Sequence, residues 1–265
     1  MLKISNPDKV LFAESGITKI DVAQYYCKIA DKMLPFIANR RLSLVVCPQG
    51  TGKPCFYKKN AAEGVVLDPI AGVNDLLAHV QNNTLEFHAW GSTIADLEHP
   101  DMMVFDLDPD EGMGLAQVRK GLTDIKRVLD ELGLVSFLKT SGNKGYHVVV
   151  PIKPVADWST VGSFAKNIAI IMEKNRPDLY TSNVRKVNRK GKIFIDWIRN
   201  GKGATSIVPY SVRAKEGAAV SAPLAWSELG RVAPDAVSMK DASKRADRAD
   251  PWKNFWEVQK NQWIL

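Results

Sequence analysis

The sequence MMVFDLDPD, at residues 102–110, carries the strongest signal for both fold and chemistry. A run of apolar residues ends there in Asp106 and Asp108, which are two positions apart. Because alternate side chains of a β-strand share one face, we expect the two carboxylates to project together where the strand leaves its sheet. Two anions held so close repel each other, and burying either is costly unless a cation lies between them. Carboxylates suit Mg²⁺ or Mn²⁺ better than Zn²⁺, so the stretch predicts a divalent metal site; the alternative is an acidic turn helped by Pro109.

The composition is that of an ordinary globular protein with a surplus of positive charge. The chain has 265 residues, of which 45% are hydrophobic and 25% are charged, and its net charge is +7. This length can bury a substantial core, and we predict one domain over residues 1–265, with a charged connector and a C-terminal packing segment in residues 235–265. The positive surplus favours an anionic partner such as nucleic acid.

The cysteines and the N-terminus predict a soluble, cytoplasmic protein. The odd number of cysteines (Cys27, Cys47 and Cys55) and the absence of a C-x-x-C spacing argue against a disulfide framework and a thiolate zinc site. The N-terminal sequence MLKISNP has no apolar segment typical of a signal peptide, and no window approaches about 18 uninterrupted apolar residues. We therefore expect no membrane partner.

Hydrophobic periodicity predicts alternating helices and strands. Thr18 is expected to cap the first helix and Asp157 a later one. The predicted helices cover residues 18–35, 73–81, 115–132, 157–176 and 222–229, and the predicted strands cover residues 41–47, 55–59, 84–90, 134–139 and 193–198. In the strand 84–90 the polar face carries Glu86 and His88, and it either looks into a cleft or is half exposed.

The second informative stretch is TSGNKGYH, at residues 140–147. Its two glycines let backbone N–H groups turn toward a ligand, Ser141 adds a hydroxyl, and Lys144 and His147 add further donors. This chemistry predicts a phosphate cradle between two strands, whereas a simple hairpin is the alternative.

A third acidic position, Asp196, lies in the apolar sequence IFIDWI at residues 193–198, after a basic segment at residues 185–192. A lone carboxylate in such a strand needs a metal or a basic partner, so a structural ion pair is the alternative. Together with Asp106 and Asp108, it completes the parts needed for in-line nucleotidyl transfer. In that reaction one metal ion lowers the pKa of the attacking 3′-hydroxyl, and the other steadies the triphosphate and the leaving pyrophosphate.

Five motifs resemble, in order, those of the polymerase domain of bacterial and archaeal ligase D, a member of the archaeo-eukaryotic primase superfamily. They are NPDKVLF at 6–12, VFDLDP at 104–109, TSGNKGYH at 140–147, FIDW at 194–197 and PYSVR at 209–213. The resemblance implies an α+β primase fold in which two small mixed or antiparallel β-sheets, flanked by helices, enclose a catalytic cleft, one sheet being an RRM-like module. It also implies a DNA-directed polymerase of non-homologous end joining that favours ribonucleotides and fills short gaps at break ends.

The same resemblance implies roles for individual residues. The metal-binding and catalytic carboxylates would be Asp106, Asp108 and Asp196. The nucleotide would be held by Ser141, Lys144, His147, Arg213 and Arg189. A 5′-phosphate on the downstream DNA strand would be recognised by Lys9 and Lys19, the aromatic side chains against template or nucleotide would be Phe56 and Tyr57, and His88 is a candidate cleft residue.

The implied cofactors are two divalent ions, Mn²⁺ or Mg²⁺, and the implied substrates are nucleoside triphosphates and DNA with 5′-phosphorylated gaps or ends. The implied partners are Ku and a DNA ligase, in cis or in trans, and the implied location is the nucleoid. Val45 departs from relatives that carry a basic residue there, and no Lys-x-Asp-Gly motif of a ligase is present, so the chain is either a stand-alone polymerase or one part of a longer protein.

Two other functions compete with this interpretation. One is a non-catalytic DNA-end-binding module, which an intact set of three carboxylates disfavours. The other is a phosphohydrolase of the haloacid dehalogenase type, in which Asp106 would be the nucleophile. In that class a Thr or Val usually stands at the position of Asp110, and the motif usually comes early in the chain.

Overall fold

Two β-sheets face each other across a cleft, and helices cover the outer surface of each sheet. The structure is a computed structural model that describes residues 3–59 and 69–264. The predicted domain, residues 1–265, therefore includes positions outside the described residues. The helices are α1 Lys19–Ile37, α2 Val73–Gln81, α3 Leu115–Glu131, α4 Trp158–Asn175, α5 Met239–Ala246 and α6 Phe255–Asn261. The strands are β1 Val10–Phe12, β2 Ile17–Thr18, β3 Arg40–Val46, β4 Phe56–Lys59, β5 Thr84–Thr93, β6 Met102–Pro109, β7 Phe137–Thr140, β8 Tyr146–Pro151, β9 Tyr180–Thr181, β10 Ile193–Asp196, β11 Ser206–Ile207 and β12 Pro223–Leu224.

The larger sheet has six strands in the order β12-β7-β8-β6-β10-β9. Its central part follows the chain as β6-α3-β7-β8-α4-β10, and β6 pairs antiparallel with both β8 and β10. This is the split β-α-β arrangement of RRM-like modules, in which each helix crosses one face of the sheet. Met103, Phe105 and Leu107 of β6 pack with α3 and α4 on that face, so Asp106 is directed to the opposite face.

The smaller sheet has four strands in the order β11-β5-β3-β4. Its outer face packs on α1 and α2 through residues such as Leu44 and Phe87. The cross-strand register places Ser43 opposite His88 on one side and opposite Lys59 on the other. These polar residues share the inner face, so the two sheets present polar rows to each other across the cleft.

The cap of α1 is as predicted, but its end is not. Thr18 and Asp21 form a reciprocal capping box. The helix continues through Pro35 to Ile37, because Phe36 and Ile37 are buried in the core and the backbone N–H of Ala38 still bonds to the carbonyl of Leu34. The prediction that Pro35 ends the helix was therefore wrong by two residues.

The predicted helix 222–229 was also wrong. Pro223–Leu224 instead form strand β12, which pairs with β7 and becomes the outermost strand on that side of the six-stranded sheet. A short 3₁₀ turn follows at Trp226–Glu228, and the indole N–H of Trp226 donates to the carbonyl of Ser136. Residues 223–224 form a strand despite the local helical pattern, because the edge of β7 would otherwise have unpaired backbone groups.

The expectation of no disulfide is contradicted as well. Cys47 and Cys55 form a disulfide where β3 and β4 meet, with their Cα atoms 4.3 Å apart. The antiparallel pairing of Val46 with Phe56 brings these two flanking positions together, which no short sequence spacing reveals. Cys27 is a free thiol.

The charged segment after residue 235 contributes α5, which packs against α1. Lys32 and Asp250 form an ion pair of 3.0 Å beside this contact. Trp252 and Phe255 are buried and stack with their ring centroids 5.2 Å apart, in contact with Phe36. Among the described residues, no helix has both the length and the apolar character needed to cross a membrane.

Candidate active site

A row of polar side chains crosses the inner face of the six-stranded sheet. In the β-sheet register, Lys139 lies opposite His147, His147 opposite Asp106, and Asp106 opposite Asp196. Directly paired residues point to the same face, and Asp108, two residues after Asp106, shares that face. The sheet therefore brings together the three carboxylates that two separate motifs predicted.

The crowding of these carboxylates changes their acidity. Burial, followed by the charges of Asp106 and Asp196, raises the pKa of Asp108 to about 6. Burial also raises the pKa of Asp196, against the lowering effect of the Arg199 guanidinium. Burial would raise the pKa of Asp106 too, but His147 and Arg199 lower it below its ordinary value. The ionised forms of Asp108 and Asp196 are therefore disfavoured without a cation, and this cluster of carboxylate oxygens fits a divalent ion such as Mg²⁺ or Mn²⁺.

Arg199 is a site residue that the sequence analysis missed. Its Nε lies 3.0 Å from Oδ2 of Asp196, and its Nη2 lies 4.0 Å from Oδ2 of Asp106. In the described part of the chain, no three His, Cys, Asp or Glu side chains are arranged to hold a metal ion together. The guanidinium of Arg199 supplies positive charge next to Asp106 and Asp196. The only signal in the sequence was the position of Arg199, three residues after Asp196. A 3₁₀ turn at Ile198–Asn200 brings the Arg199 side chain back over the Asp196 carboxylate.

The cleft between the sheets has a volume of about 480 Å³ and is lined by both walls. On the wall formed by the smaller sheet, buried Glu86 accepts a hydrogen bond of 2.7 Å from the backbone N–H of Ala214. Its Oε2 lies 2.9 Å from Nε2 of His88 and 3.1 Å from Nη1 of Arg213. Burial would raise the pKa of Glu86, but these two partners hold it below its ordinary value. Glu86 therefore stays ionised and fixes Arg213 at the cleft, a role that the alternation of the strand alone did not reveal.

The loop between β7 and β8 closes an antiparallel hairpin, and its residues line the rim of the cleft. The hydroxyl oxygen of Ser141 accepts from the backbone N–H of Asn143 at 3.1 Å and of Gly145 at 3.3 Å. Lys144 is exposed and lines the cleft. Gly142 has a φ of +69°, and a Cβ there would lie 2.6 Å from Cγ of Arg213. The glycine is thus needed for the close approach of this loop to the arginine.

His147 lies between the carboxylates and the interior. Its Nε2 is 3.5 Å from Oδ2 of Asp106, and its Nδ1 is 3.1 Å from Nζ of Lys139. Burial and the positive charge of Lys139 lower the pKa of His147 to about 4, despite the opposing effect of Asp106. The imidazole is therefore neutral at physiological pH.

Other predicted residues surround this centre. The guanidinium of Arg189 lies 3.6 Å from the centre of the Phe194 ring and donates from Nη2 to the carbonyl of Val184 at 2.7 Å. Tyr57 lines the cleft, whereas the adjacent Phe56 points to the other face of β4 and is 50% exposed. The structure thus brings only one of the two predicted aromatic residues to the cleft.

Lys9 and Lys19 lie outside the lining of the cleft. Nζ of Lys19 donates to the carbonyl of Gln81 at the end of α2, at 3.0 Å, and Nζ of Lys9 bonds to the carbonyl of Pro48. Burial, together with the charge of Lys9, lowers the pKa of Lys19. The two ammonium groups therefore interact electrostatically, and each also holds a backbone carbonyl.

Comparison with known proteins agrees with this architecture. A family model described as the LigD primase-polymerase domain matches residues 18–68 and 66–252. The chain belongs to this LigD family. The membership confirms the predicted resemblance and the prediction of a nucleotidyltransferase of the primase-polymerase type, and it overturns the phosphohydrolase alternative.

Individual relatives show the extent of the match. The chain is 34% identical to the multifunctional non-homologous end joining protein LigD of Pseudomonas aeruginosa over 274 residues, which cover 96% of the chain and 33% of the relative. It is 31% identical to the bifunctional non-homologous end joining protein LigD of Bacillus subtilis over 244 residues, which cover 86% of the chain and 39% of the relative. The chain thus spans between a third and two fifths of the length of these LigD relatives.

A solved structure confirms the predicted fold class. The polymerase domain from Mycobacterium tuberculosis ligase D in complex with DNA superposes with a TM-score of 0.88 and 29% sequence identity, covering 99% of each chain. The mixed α+β architecture with two sheets around a cleft is therefore that of LigD polymerase domains.

Proposed function

We propose that this LigD-family domain is a DNA-directed nucleotidyltransferase that adds ribonucleotides preferentially to 3′ ends, at gaps and at double-strand break ends, in non-homologous end joining. The observation that supports it best is the convergence of Asp106, Asp108 and Asp196 on one face of a sheet, directly below a basic cleft. The names of the LigD relatives support the repair context, and the DNA-bound neighbour supports DNA as the partner. A role with Ku and with a ligase, and an association with the nucleoid, belong to the same proposal.

The three carboxylates would hold two Mn²⁺ or Mg²⁺ ions. When bound, these ions would lower the pKa of the attacking 3′-hydroxyl and stabilise the leaving pyrophosphate. Binding of these ions would require the Arg199 guanidinium to move away from Asp196, from which its Nε now lies 3.0 Å. Once displaced, it is available to the phosphates of the incoming nucleotide on the same side of the cleft.

The chain's own donors would bind and orient the triphosphate. Arg213 is fixed by Glu86, His147 presents a neutral imidazole, and Lys144 supplies an exposed ammonium at the rim. Donors held in place before the reaction stabilise developing negative charge without reorganising at that moment. Base selection is left to pairing with the template, so the protein needs few contacts to base edges.

The preference for ribonucleotides rests on the family resemblance and on the polar character of the cleft. Hydroxyl groups line it from both walls, on Ser43, Ser141, Thr205 and Ser206. A site that bonds to a substrate hydroxyl rejects the analogue that lacks it, because its own polar groups are then left without partners. Lys9 and Lys19 would bind a 5′-phosphate across the gap, away from the reacting atoms.

Primer extension across a short gap tests the proposal, with ATP or dATP, with Mn²⁺ or Mg²⁺, and with or without a 5′-phosphate on the downstream strand. We expect extension that is faster with ATP and stimulated by the 5′-phosphate, and stimulation that is lost when Lys9 and Lys19 are replaced by Ala. Tight, phosphate-dependent DNA binding without any extension would instead favour the end-binding module.

A further inference from the structure

A buried lysine, Lys139, lies beneath the active site and takes no part in the proposed reaction. Lys139 is 1% exposed, and its Nζ is 2.8 Å from Oγ of Ser221 and 3.1 Å from Nδ1 of His147. Burial lowers its pKa well below the ordinary value, while the negative charge of Asp106 opposes that shift. Burying a lysine costs free energy, so a buried lysine beside His147 and Asp106 is expected to have a role in the site.

The directions of the hydrogen bonds around Lys139 are determined by chemistry. The carbonyl of Thr140 can only accept, so the hydroxyl of Ser221, 3.0 Å away, donates its hydrogen there. Oγ of Ser221 then accepts from Lys139. In its ammonium form, which the negative charge of Asp106 favours, Lys139 has donors and no acceptor, so Nδ1 of His147 must also accept from it. An imidazole that accepts at Nδ1 carries its single proton on Nε2, the atom that faces Asp106 and the cleft.

We propose that Lys139 is a positioning residue that fixes His147 as the Nε2–H tautomer, so that His147 serves as a hydrogen-bond donor to the nucleotide and not as the base that deprotonates the 3′-hydroxyl. Naming the nucleotide as the acceptor rests on the proposed function; the tautomer does not. With Nδ1 occupied by a cation and Nε2 already protonated, the ring has no free lone pair for a substrate proton. A cation bonded to Nδ1 also polarises the ring, which strengthens donation from Nε2.

The tautomer can be observed directly, without nucleotide, metal or DNA. The chain has four histidines, so ¹⁵N-histidine labelling gives a simple long-range ¹H–¹⁵N spectrum, in which the His147→Gln variant identifies the His147 signals. We expect the pattern of a neutral Nε2–H ring at neutral pH in the wild-type protein. A protonated Nδ1, or a mixture of both tautomers, would overturn the proposal whatever the polymerase activity of the protein.

Two variants assign the effect to Lys139. Lys139→Met keeps a long apolar side chain but removes the donor, so we expect a mixture of tautomers. ATP binding should weaken by up to about tenfold, because the hydrogen bond from His147 to the charged nucleotide is lost in part. Ser221→Ala removes the other partner of Lys139 and leaves its bond to His147, so it should keep the wild-type tautomer. A wild-type tautomer in Lys139→Met, or its loss in Ser221→Ala, would show that Lys139 does not set it.

The role of His147 as a donor has a separate test. Gln places an N–H near the position of Nε2, whereas Asn reaches only to the position of Nδ1. We therefore expect His147→Gln to keep more nucleotide affinity and more extension activity than His147→Asn. Equal loss of kcat in the two variants, with KM unchanged, would indicate a proton acceptor and would overturn this part of the proposal.

Discussion

Replacement of Gly142 by alanine tests whether the close packing of the loop between β7 and β8 against Arg213 contributes to stability and to nucleotide binding. The φ of +69° costs a residue with a Cβ about 1–2 kcal/mol. The new Cβ would also lie 2.6 Å from Cγ of Arg213 and 3.1 Å from the carbonyl carbon of Val220, neither of which is the free end of a side chain. Overpacking of this kind adds about 1–3 kcal/mol, so we expect a total destabilisation of about 2–5 kcal/mol.

Gly133 is a matched control for this substitution. It has a φ of +72°, it follows α3, and a Cβ there would meet no atom within 4 Å. Gly133→Ala should therefore show only the backbone cost of about 1–2 kcal/mol and no change in nucleotide binding. Gly142→Ala should in addition displace Arg213 from Glu86 and weaken ATP binding about tenfold or more.

Urea unfolding of the metal-free variants gives the two free energies of unfolding, and calorimetric titration with ATP in the presence of Mn²⁺ gives the two affinities. If Gly142→Ala unfolds with the same free energy as Gly133→Ala and binds ATP as the parent does, the contact between the loop and Arg213 has no energetic role. Gly142 would then not be required for the close approach of the loop to Arg213.

Three further predictions follow from the electrostatics of the cleft. Asp108 has a pKa of about 6 in the folded protein and 3.8 as its ordinary value, so the folded metal-free parent is destabilised by up to about 3 kcal/mol once the pH rises above both values. Asp108→Asn should therefore raise the free energy of unfolding at neutral pH but not at a pH below 3.8, as measured by urea unfolding with a chelator. The Arg199 guanidinium competes with a metal ion for Asp106, and an ion pair of this partly exposed kind is worth about 1 kcal/mol. Arg199→Ala should therefore tighten Mn²⁺ binding about fivefold in titration calorimetry, and weaker Mn²⁺ binding would show that Arg199 does not compete with the metal. Glu86→Gln should weaken ATP binding about tenfold and leave DNA affinity unchanged in fluorescence anisotropy, because Glu86 holds Arg213; equal losses for both ligands would indicate general unfolding of the wall.

Local signals in the sequence predicted the local structure well. Helix α2 begins and ends at the predicted residues, and the stripe that starts at Leu115 ends next to Gly133, as the apolar spacing indicates. The errors lie where distant parts of the chain decide the outcome. Pro35 stays helical because the core holds the last turn, and residues 223–224 form a strand because β7 needs a neighbour.

In the site, too, the sequence predicted local features but not the contacts between distant parts of the chain. The motifs containing Asp106, Asp196 and His147 indicated their chemistry, since each places a charged or donor group at the end of an apolar strand or in a glycine loop. Their juxtaposition depends on the order β7-β8-β6-β10, which no single motif contains. The supporting roles of Lys139 and Glu86 were missed for this reason, because each acts through a partner on another strand.

Primer extension on a gapped, 5′-phosphorylated template by Asp106→Ala and Asp108→Ala, beside the parent and with DNA affinity measured in parallel, tests whether these carboxylates form the catalytic centre. Both variants should lose extension while binding DNA nearly as the parent does, because DNA affinity rests on contacts to phosphates. Extension by Asp108→Ala at the parental rate would contradict the assignment of the three carboxylates as the catalytic centre.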